Sequence, residues 1–339
     1  MPRISCLMPV YNCERYVGEA INSVLSQTLQ DFELIVVDDG STDGTREVID
    51  AYQKRDSRIV VFPQPNGGIV SALNAGLREC KGDYVARMDG DDICLPNRFA
   101  LQARYLDQNP HCVCVGGSYI AIDEKGVKYD IFRYSRNRFT SFDVFPVRVA
   151  LTCHPLAMLR KETLEVLGGY RKTFPHAEDL DLFLRIADFG RVDNPDEVLL
   201  YYRSHPGNLS RRNVELQETA AAYAELAALL THRGFLDLIA ADMDFDAARR
   251  RIDQVFAPST TAAFVRFRIW RRMVGIDPSL ASELKWDVVR SVFSVRPANL
   301  LSRDYFHLRV RMLGRLVINE IEQRRDAWKS FPRKVQARA

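Results

Sequence analysis

Short apolar runs that each stop at a polar turn, with an amphipathic helix before the next run, most constrain what this chain can become. Ile4-Ser5-Cys6-Leu7-Met8-Pro9-Val10-Tyr11-Asn12 reads as a buried strand ended by Pro9. A helix follows, with Asn12 as candidate N-cap and Tyr16, Ala20, Ile21, Val24 and Leu25 on one face at three- and four-residue spacing. A second strand, Phe32 to Val37, runs into Asp38-Asp39-Gly40-Ser41-Thr42-Asp43-Gly44-Thr45, a turn-rich loop that opens the next helix. Asp83-Tyr84-Val85-Ala86 forms a third strand ahead of Arg87-Met88-Asp89-Gly90-Asp91-Asp92. This βαβα order predicts an α/β fold with a parallel sheet. Ligands bind such sheets at the carboxyl ends of the strands, so the three polar clusters should converge on one crevice.

The acidic turn is the most chemical of the three. Carboxylates two apart in a turn can share one hard divalent ion, and Mg2+ or Mn2+ held by one or two carboxylates completes its shell with phosphate oxygens and water. The expected ligand is therefore a diphosphate. A solvated acidic turn is the competing reading. A helix-loop-helix calcium loop is excluded: counted from Asp89, its sixth position would be Cys94 and its twelfth Ala100, where Gly and Glu are required.

These motifs, in order, resemble the family 2 glycosyltransferases, inverting enzymes of GT-A fold. The resemblance runs from Ile4 to about Ser210. After Met8-Pro9-Val10-Tyr11-Asn12, the Asp38 loop and the acidic turn come Gly168-Gly169-Tyr170, Glu178-Asp179-Leu180-Asp181-Leu182 with Arg185, and Tyr202-Arg203-Ser204-His205; Asn66-Gly67-Gly68 and Asn74-Ala75-Gly76 lie between the second and third. The likeness implies a nucleotide-sugar donor, with Pro9, Tyr11 and Asp39 lining the base and ribose pocket and Asp38 adjacent. It implies that Asp91 holds a Mn2+ or Mg2+ ion across the diphosphate, while Asp89 faces ribose or a metal-bound water. Arg87 either lies against the nucleotide or pairs with one of the acids. Gly67, Gly68 and Gly76 read as close-packing positions. One departure is Leu73, where many relatives carry Arg.

Inversion by single displacement needs a base opposite the leaving diphosphate. Asp179 matches the family's base and Glu178 its acceptor-orienting neighbour. By themselves, Glu178, Asp179 and Asp181 read as favourable anions in the first turn of a helix. Arg203 and His205, in the segment after the last core strand, are candidates to reach the diphosphate or, for His205, the metal. His154 and His176 are noted beside them.

At 339 residues, 47% hydrophobic and 27% charged, the chain can bury one large core plus an appendage. We expect a GT-A catalytic domain over 1–215 and a helical, basic region over 216–339. No apolar run approaches the roughly 20 residues that span a bilayer. The first strand starts by Ile4, which predicts no signal peptide. Seven cysteines without Cys-x-x-Cys pairs predict reduced thiols in a cytoplasmic protein. Residues 241–339 carry 20 Lys and Arg against 11 Asp and Glu, net +9 of a total +3. With Phe264, Phe267, Trp270 and Phe306 among those arginines, the tail reads as a surface for the inner face of an anionic membrane, as a packed appendage, or as a dimerisation element. Nucleic-acid binding is not expected, since no recognition motif accompanies the charge.

The resemblance thus implies transfer of a hexosyl unit from a nucleotide sugar, UDP-linked, to a hydroxyl of a lipid-linked acceptor or of a cell-envelope glycan such as lipopolysaccharide, forming a β-linkage. The alternatives are a sugar nucleotidyltransferase and a catalytically silent nucleotide- or membrane-binding scaffold.

Overall fold

The structure is a computed structural model that describes residues 1–134, 139–142, 147, 149–208, 214–234, 239–240, 243–256, 261–262, 264–265 and 268–269. The chain divides into two compact units. The described residues of the first are 1–134, 139, 149–170 and 185–208; those of the second are 140–142, 147, 171–184 and 214 onward.

The first unit is built on two sheets. The larger has seven strands in the order β10-β6-β9-β4-β1-β2-β3. Its parallel half joins β4 (Tyr84–Arg87), β1 (Ile4–Val10), β2 (Phe32–Asp38) and β3 (Ile59–Pro63). Beyond β4, β9 (Met158–Arg160) runs antiparallel to both β4 and β6 (Cys112–Val115), and β10 (Arg191–Asp193) pairs parallel with β6. All seven residues of β1 and of β2 are buried. That agrees with strands covered on both faces, which read as continuous apolar runs rather than alternating ones. The smaller sheet has the order β5-β11-β7-β8, from β5 (Ile93–Cys94), β11 (Val198–Arg203), β7 (Ser118–Ile122) and β8 (Lys128–Phe132).

Helices α1 (Val17–Leu25), α2 (Thr45–Gln53), α3 (Ile69–Glu79), α4 (Arg98–Gln108) and α5 (Lys161–Val166) follow the strands. Val17, Ala20, Ile21 and Val24 of α1 are buried, as the spacing requires. Val17, Ile21 and Val24 each contribute about 1.5–3 kcal/mol of burial relative to exposure. The close approach of α3 to the sheet depends on Gly76, where a Cβ would fall 2.2 Å from Leu7 Cδ1 and 2.7 Å from Val37 Cγ2.

Two local expectations need correction. Pro9 does not end β1, which continues to Val10. The Leu7 carbonyl accepts from Met88 N–H on the β4 side and the Val10 carbonyl from Asp39 N–H on the β2 side. Alternation turns Pro9 toward β4, whose pairing with β1 has ended at Leu7, so its missing N–H costs the ladder nothing. Asn12 does not cap α1: Tyr16 occupies the N-cap, and Asn12 takes a left-handed φ of 50° with its side chain turned to a neighbouring loop.

The second unit contains most of α6 (Glu178–Ile186), the buried, alanine-rich α7 (Val214–His232) and α8 (Phe245–Asp253). Asp244 caps α8 by accepting from Ala247 N–H at 2.7 Å. Phe174 and Tyr223 each meet Phe245 edge-on. Phe264 is fully buried here, and Arg268 pairs with Glu218 at 3.0 Å and with Glu225. Phe264 is therefore buried rather than exposed as a membrane-facing group would be. Phe267, Trp270 and Phe306 lie outside the described residues. Among the described residues no helix is long and apolar enough to cross a membrane. All seven cysteines are free, and Cys112 and Cys114 are buried in β6.

Candidate active site

The adjacency β4-β1-β2, all parallel, brings the carboxyl ends of these strands to one edge of the sheet. The first two ends are laced together. Asn12 N–H donates to Ser41 Oγ at 3.0 Å, Thr42 N–H to Asn12 Oδ1 at 2.8 Å, Cys13 N–H to Thr45 Oγ1 at 2.7 Å and Gly44 N–H to Glu14 Oε2 at 3.0 Å. A Cβ at Gly44 would fall 2.5 Å from Glu14 Oε1, so a larger residue there would displace that carboxylate. Asp38 closes its own turn by accepting from Ser41 N–H at 3.0 Å. Pro9 is buried within β1, while the Tyr11 ring just beyond is 50% exposed and free to cover a planar ligand.

Asp39 is 4% exposed and serves as a local anchor. Its Oδ1 accepts from Gln64 Nε2 at 2.6 Å and Gly67 N–H at 2.9 Å, and its Oδ2 from Gly68 N–H at 2.8 Å. Gly68, at φ 79°, is the N-cap of α3, so the carboxylate meets a helix amino terminus. The Asn66-Gly67-Gly68 turn thus binds an internal anion through its backbone.

At the end of β4 the ligand atoms of Asp89, Asp91 and Asp92 lie within 4.8 Å of one another. Gly90 lets the turn press against β1, since a Cβ would stand 2.7 Å from Val10 Cγ1. Arg87, 5% exposed, forms an ion pair with Asp89. Burial opposes the guanidinium charge, but Asp89, with lesser help from Tyr170 and Asp92, overrides it. Burial raises the Asp89 carboxyl above its usual range, an effect that Arg87 partly offsets. Asp92 is pushed well above by burial, then by Asp91 and Asp89. Its Oδ1 accepts from Arg203 N–H at 2.8 Å, and its buried Oδ2 has no hydrogen-bond partner. An all-oxygen donor set with an orphaned carboxylate oxygen fits a hard divalent cation.

The segment after β11 folds onto this turn. His205 Nε2 is 2.8 Å from Asp91 Oδ2, which also accepts from Asn208 Nδ2 at 3.3 Å. Gly207 N–H donates to His205 Nδ1 at 3.1 Å, which assigns the ring proton to Nε2, shared with Asp91. A Cβ at Gly207 would fall 2.8 Å from the His205 ring, so a larger residue would push the ring from this position. His205 thus lies beside the acidic turn, hydrogen-bonded to Asp91.

Arg203, expected at the diphosphate, is 2% exposed with its donors engaged by protein: Nε by the Asp91 carbonyl at 2.8 Å, Nη1 by the Asp123 and Glu124 carbonyls at 3.4 and 3.3 Å, and Nη2 by Glu19 at 2.5 Å. The sequence reading did not single out Glu19, Asn208 or Gly207 for any role, although His205-Pro206-Gly207-Asn208 is an ordinary turn signal that could have pointed to the last two.

His154 is buried, its Nε2 2.9 Å from Tyr170 Oη, and burial followed by the charge of Arg87 holds its pKa well below the usual imidazole value. Tyr170 is anchored through its backbone, N–H to Asn74 Oδ1 at 2.9 Å and C=O from Asn74 Nδ2 at 2.8 Å. Glu178 and Asp179 occupy the first turn of α6 in the second unit, where Asp179 Oδ1 accepts from Leu180 N–H at 2.7 Å. His176 precedes them with a left-handed φ of 60°.

Comparison with known proteins bears on this arrangement. The sequence profile of glycosyl transferase family 2 matches residues 5–168. The putative glycosyltransferase EpsE of Bacillus subtilis is 34% identical over 219 residues, 62% of this chain and 77% of that one. The O-antigen biosynthesis glycosyltransferase WbnJ of Escherichia coli is 34% identical over 229 residues, 66% of this chain and 85% of that one. Chondroitin synthase of Escherichia coli is 28% identical over 222 residues, 64% of this chain, and the match spans 31% of that longer protein. Among solved structures, S. aureus TarS 1–349 in complex with UDP-GlcNAc superposes with a TM-score of 0.58 at 18% identity, over 96% of this chain and 92% of that one. The mannosyltransferase PcManGT of Pyrobaculum calidifontis, in complex with GDP-Man and Mn2+, gives 0.51 at 16% identity, over 97% and 88%. The chain belongs to glycosyl transferase family 2 and has the GT-A fold.

Proposed function

We propose that the chain is an inverting, divalent-metal-dependent hexosyltransferase that moves a sugar from a UDP-linked donor to a hydroxyl of a lipid-linked acceptor or growing cell-surface glycan, forming a β-linkage. The observation that carries this reading is the cluster of Asp89, Asp91 and Asp92 within 4.8 Å at the end of β4, beside the laced ends of β1 and β2. Tyr11 and Pro9, with Asp38 and Asp39 behind them, form the base and ribose side. Asp91 and Asp89 would hold the Mn2+ or Mg2+ ion, which would supply charge neutralisation to the departing diphosphate, and His205 would join them by giving up the Nε2 proton that it shares with Asp91. Arg87 fixes Asp89 and adds its own positive charge to that end of the site.

Asp179 is the base and Glu178 orients the acceptor. As base, Asp179 acts by aligning the acceptor hydroxyl and taking its proton in the displacement. Surface-glycan acceptors accord with the O-antigen role named for one relative. UDP accords with the UDP-GlcNAc of one structural neighbour, although the GDP-Man of the other makes both nucleotides part of the test.

Calorimetry with UDP and with GDP, each with Mn2+ or EDTA, tests the donor half. Wild type should bind UDP in a metal-dependent manner, and Asp91→Ala should lose that dependence. Asp179→Asn tests the other half: it should keep UDP affinity and lose about 10²- to 10⁴-fold in transfer rate. Metal-independent UDP binding unaltered in Asp91→Ala would sink the metal role. Near wild-type transfer by Asp179→Asn would remove Asp179 as the base.

A further inference from the structure

Among the basic groups near the acidic turn, Arg203 is the most heavily bonded. Four separate pieces of the first unit converge on it. Its backbone N–H holds Asp92 Oδ1 at 2.8 Å and its Nε holds the Asp91 carbonyl at 2.8 Å. Its Nη1 reaches the carbonyls of Asp123 and Glu124, which follow β7. Its Nη2 reaches Glu19 of α1, and the guanidinium lies 4.8 Å from the centroid of Tyr16, the residue at the amino end of the same helix. Its own carbonyl accepts from Asn208 Nδ2 at 3.2 Å, and Asn208 in turn bonds Asp91. The charge is answered by Glu19, and each of the three guanidinium nitrogens already donates to protein, which engages four of the five N–H groups.

Resting on the metal-dependent reading above, we propose that Arg203 is a positioning residue: it clamps the Asp91-Asp92 turn to α1 and to the turn after β7, and so sets cation affinity without touching the donor. The planar fork is what the site uses. It directs N–H groups outward within one plane at carbonyl and carboxylate oxygens on its different edges, whereas a lysine ammonium carries the same charge at a single point. Groups that orient metal ligands in this way are typically worth 10- to 100-fold in metal affinity.

The experiment uses the full chain and its Arg203→Lys variant. Mn2+ is titrated with and without UDP while free Mn2+ is followed by electron paramagnetic resonance, and UDP binding is measured separately in EDTA. The clamp predicts a Mn2+ dissociation constant raised 10- to 100-fold in Arg203→Lys, with UDP affinity in EDTA unchanged. Unchanged Mn2+ affinity overturns the proposal, and so does a fall in UDP affinity in EDTA, which would mean direct contact with the nucleotide. Should Arg203→Lys fail to fold, Glu19→Gln carries the test. Glu19 is 57% exposed in its side chain, and the variant loosens one arm of the clamp only. It should raise the Mn2+ constant a few-fold with an unaltered melting temperature, and no rise overturns the proposal. Wild-type protein that binds no Mn2+ would instead overturn the metal-dependent reading itself.

Discussion

Replacing Asp39 by Ala should both destabilise the protein and loosen the wall of the nucleotide pocket. The carboxylate accepts three hydrogen bonds, from Gln64 Nε2, Gly67 N–H and Gly68 N–H, at 2.6, 2.9 and 2.8 Å. Bonds to a charged group contribute about 1.5–3 kcal/mol each, which sets a ceiling of about 9 kcal/mol for the three. The ceiling is not reached, because Gly67 and Gly68 are exposed and water can take over their N–H groups. What remains is the buried acceptor, the charge at the amino end of α3, worth about 0.3–1 kcal/mol, and the ordering of residues 64–68. A net loss of about 2–3 kcal/mol follows, or roughly 4–10 °C in melting temperature for a chain of this size. UDP affinity should fall by about 10-fold or more, since 1.4 kcal/mol of lost ordering suffices. Asp39→Asn should lose about half as much, because its amide can accept at one oxygen position but opposes the N–H at the other. Thermal melting and UDP calorimetry on both variants are the assays. An Asp39→Ala protein that melts with wild type and binds UDP equally would refute the reasoning.

Gly76→Ala opposes two terms: helix propensity gains about 1 kcal/mol, while a Cβ 2.2 Å from the buried Leu7 Cδ1 brings an overpacking cost of about 1–3 kcal/mol. Denaturant unfolding should show net destabilisation, and a stabilised variant would contradict the packing account. His154 gives stability a pH dependence. Its folded pKa is depressed, so the folded state binds fewer protons than the unfolded state, whose imidazole titrates near 6.5. The contribution is complete above about pH 6.5 and is lost as pH falls below it, by up to about 1.4 kcal/mol per pH unit. Arg87 of β4 and Tyr170 after α5 face the ring, and the charge on Arg87 acts in the same direction as burial. Urea midpoints at pH 7.5, 6.0 and 5.0 should therefore fall more steeply for wild type than for His154→Gln, and parallel curves would exclude His154 as the source.

The central sheet was legible because its strands are buried on both faces and the helices between them keep strict spacing. The errors are local and share one cause, the use of side chains or N–H groups by distant partners. Asn12 has the composition of an N-cap, yet the loop after β2 competes for its Oδ1 and wins. Pro9 resembles a strand terminator, but only knowledge of which side β4 lies on shows its N–H to be dispensable. The smaller sheet was not anticipated, since β5 has two residues and all of β8 is exposed, leaving little apolar signal. For Phe264 and Arg268, interleaved apolar and basic residues suggested a surface; partners in α7, about 40 to 50 residues earlier, answer that charge.

The candidate site shows the same limit from the other direction. Sequence can count acids, but not which cations are already neutralised. Asp89, Asp91 and Asp92 bring three potential negative charges to one turn. Arg87 offsets one of them, and Arg203, the other guanidinium in contact with the turn, is balanced by Glu19. His205 and Asn208 meet Asp91 as a ring N–H and an amide, with no charge of their own in the assigned tautomer. With the carboxylates ionised, the excess is two negative charges in a partly buried pocket. Burial is the main cause of the upward pressure on the Asp92 carboxyl, and the charges of Asp91 and Asp89 add to it. A dication answers the excess in full, whereas a monovalent ion or a lysine would answer half. Had Arg203 been free, as its place in the sequence suggested, the excess would have been one, and the case for a divalent ion correspondingly weaker.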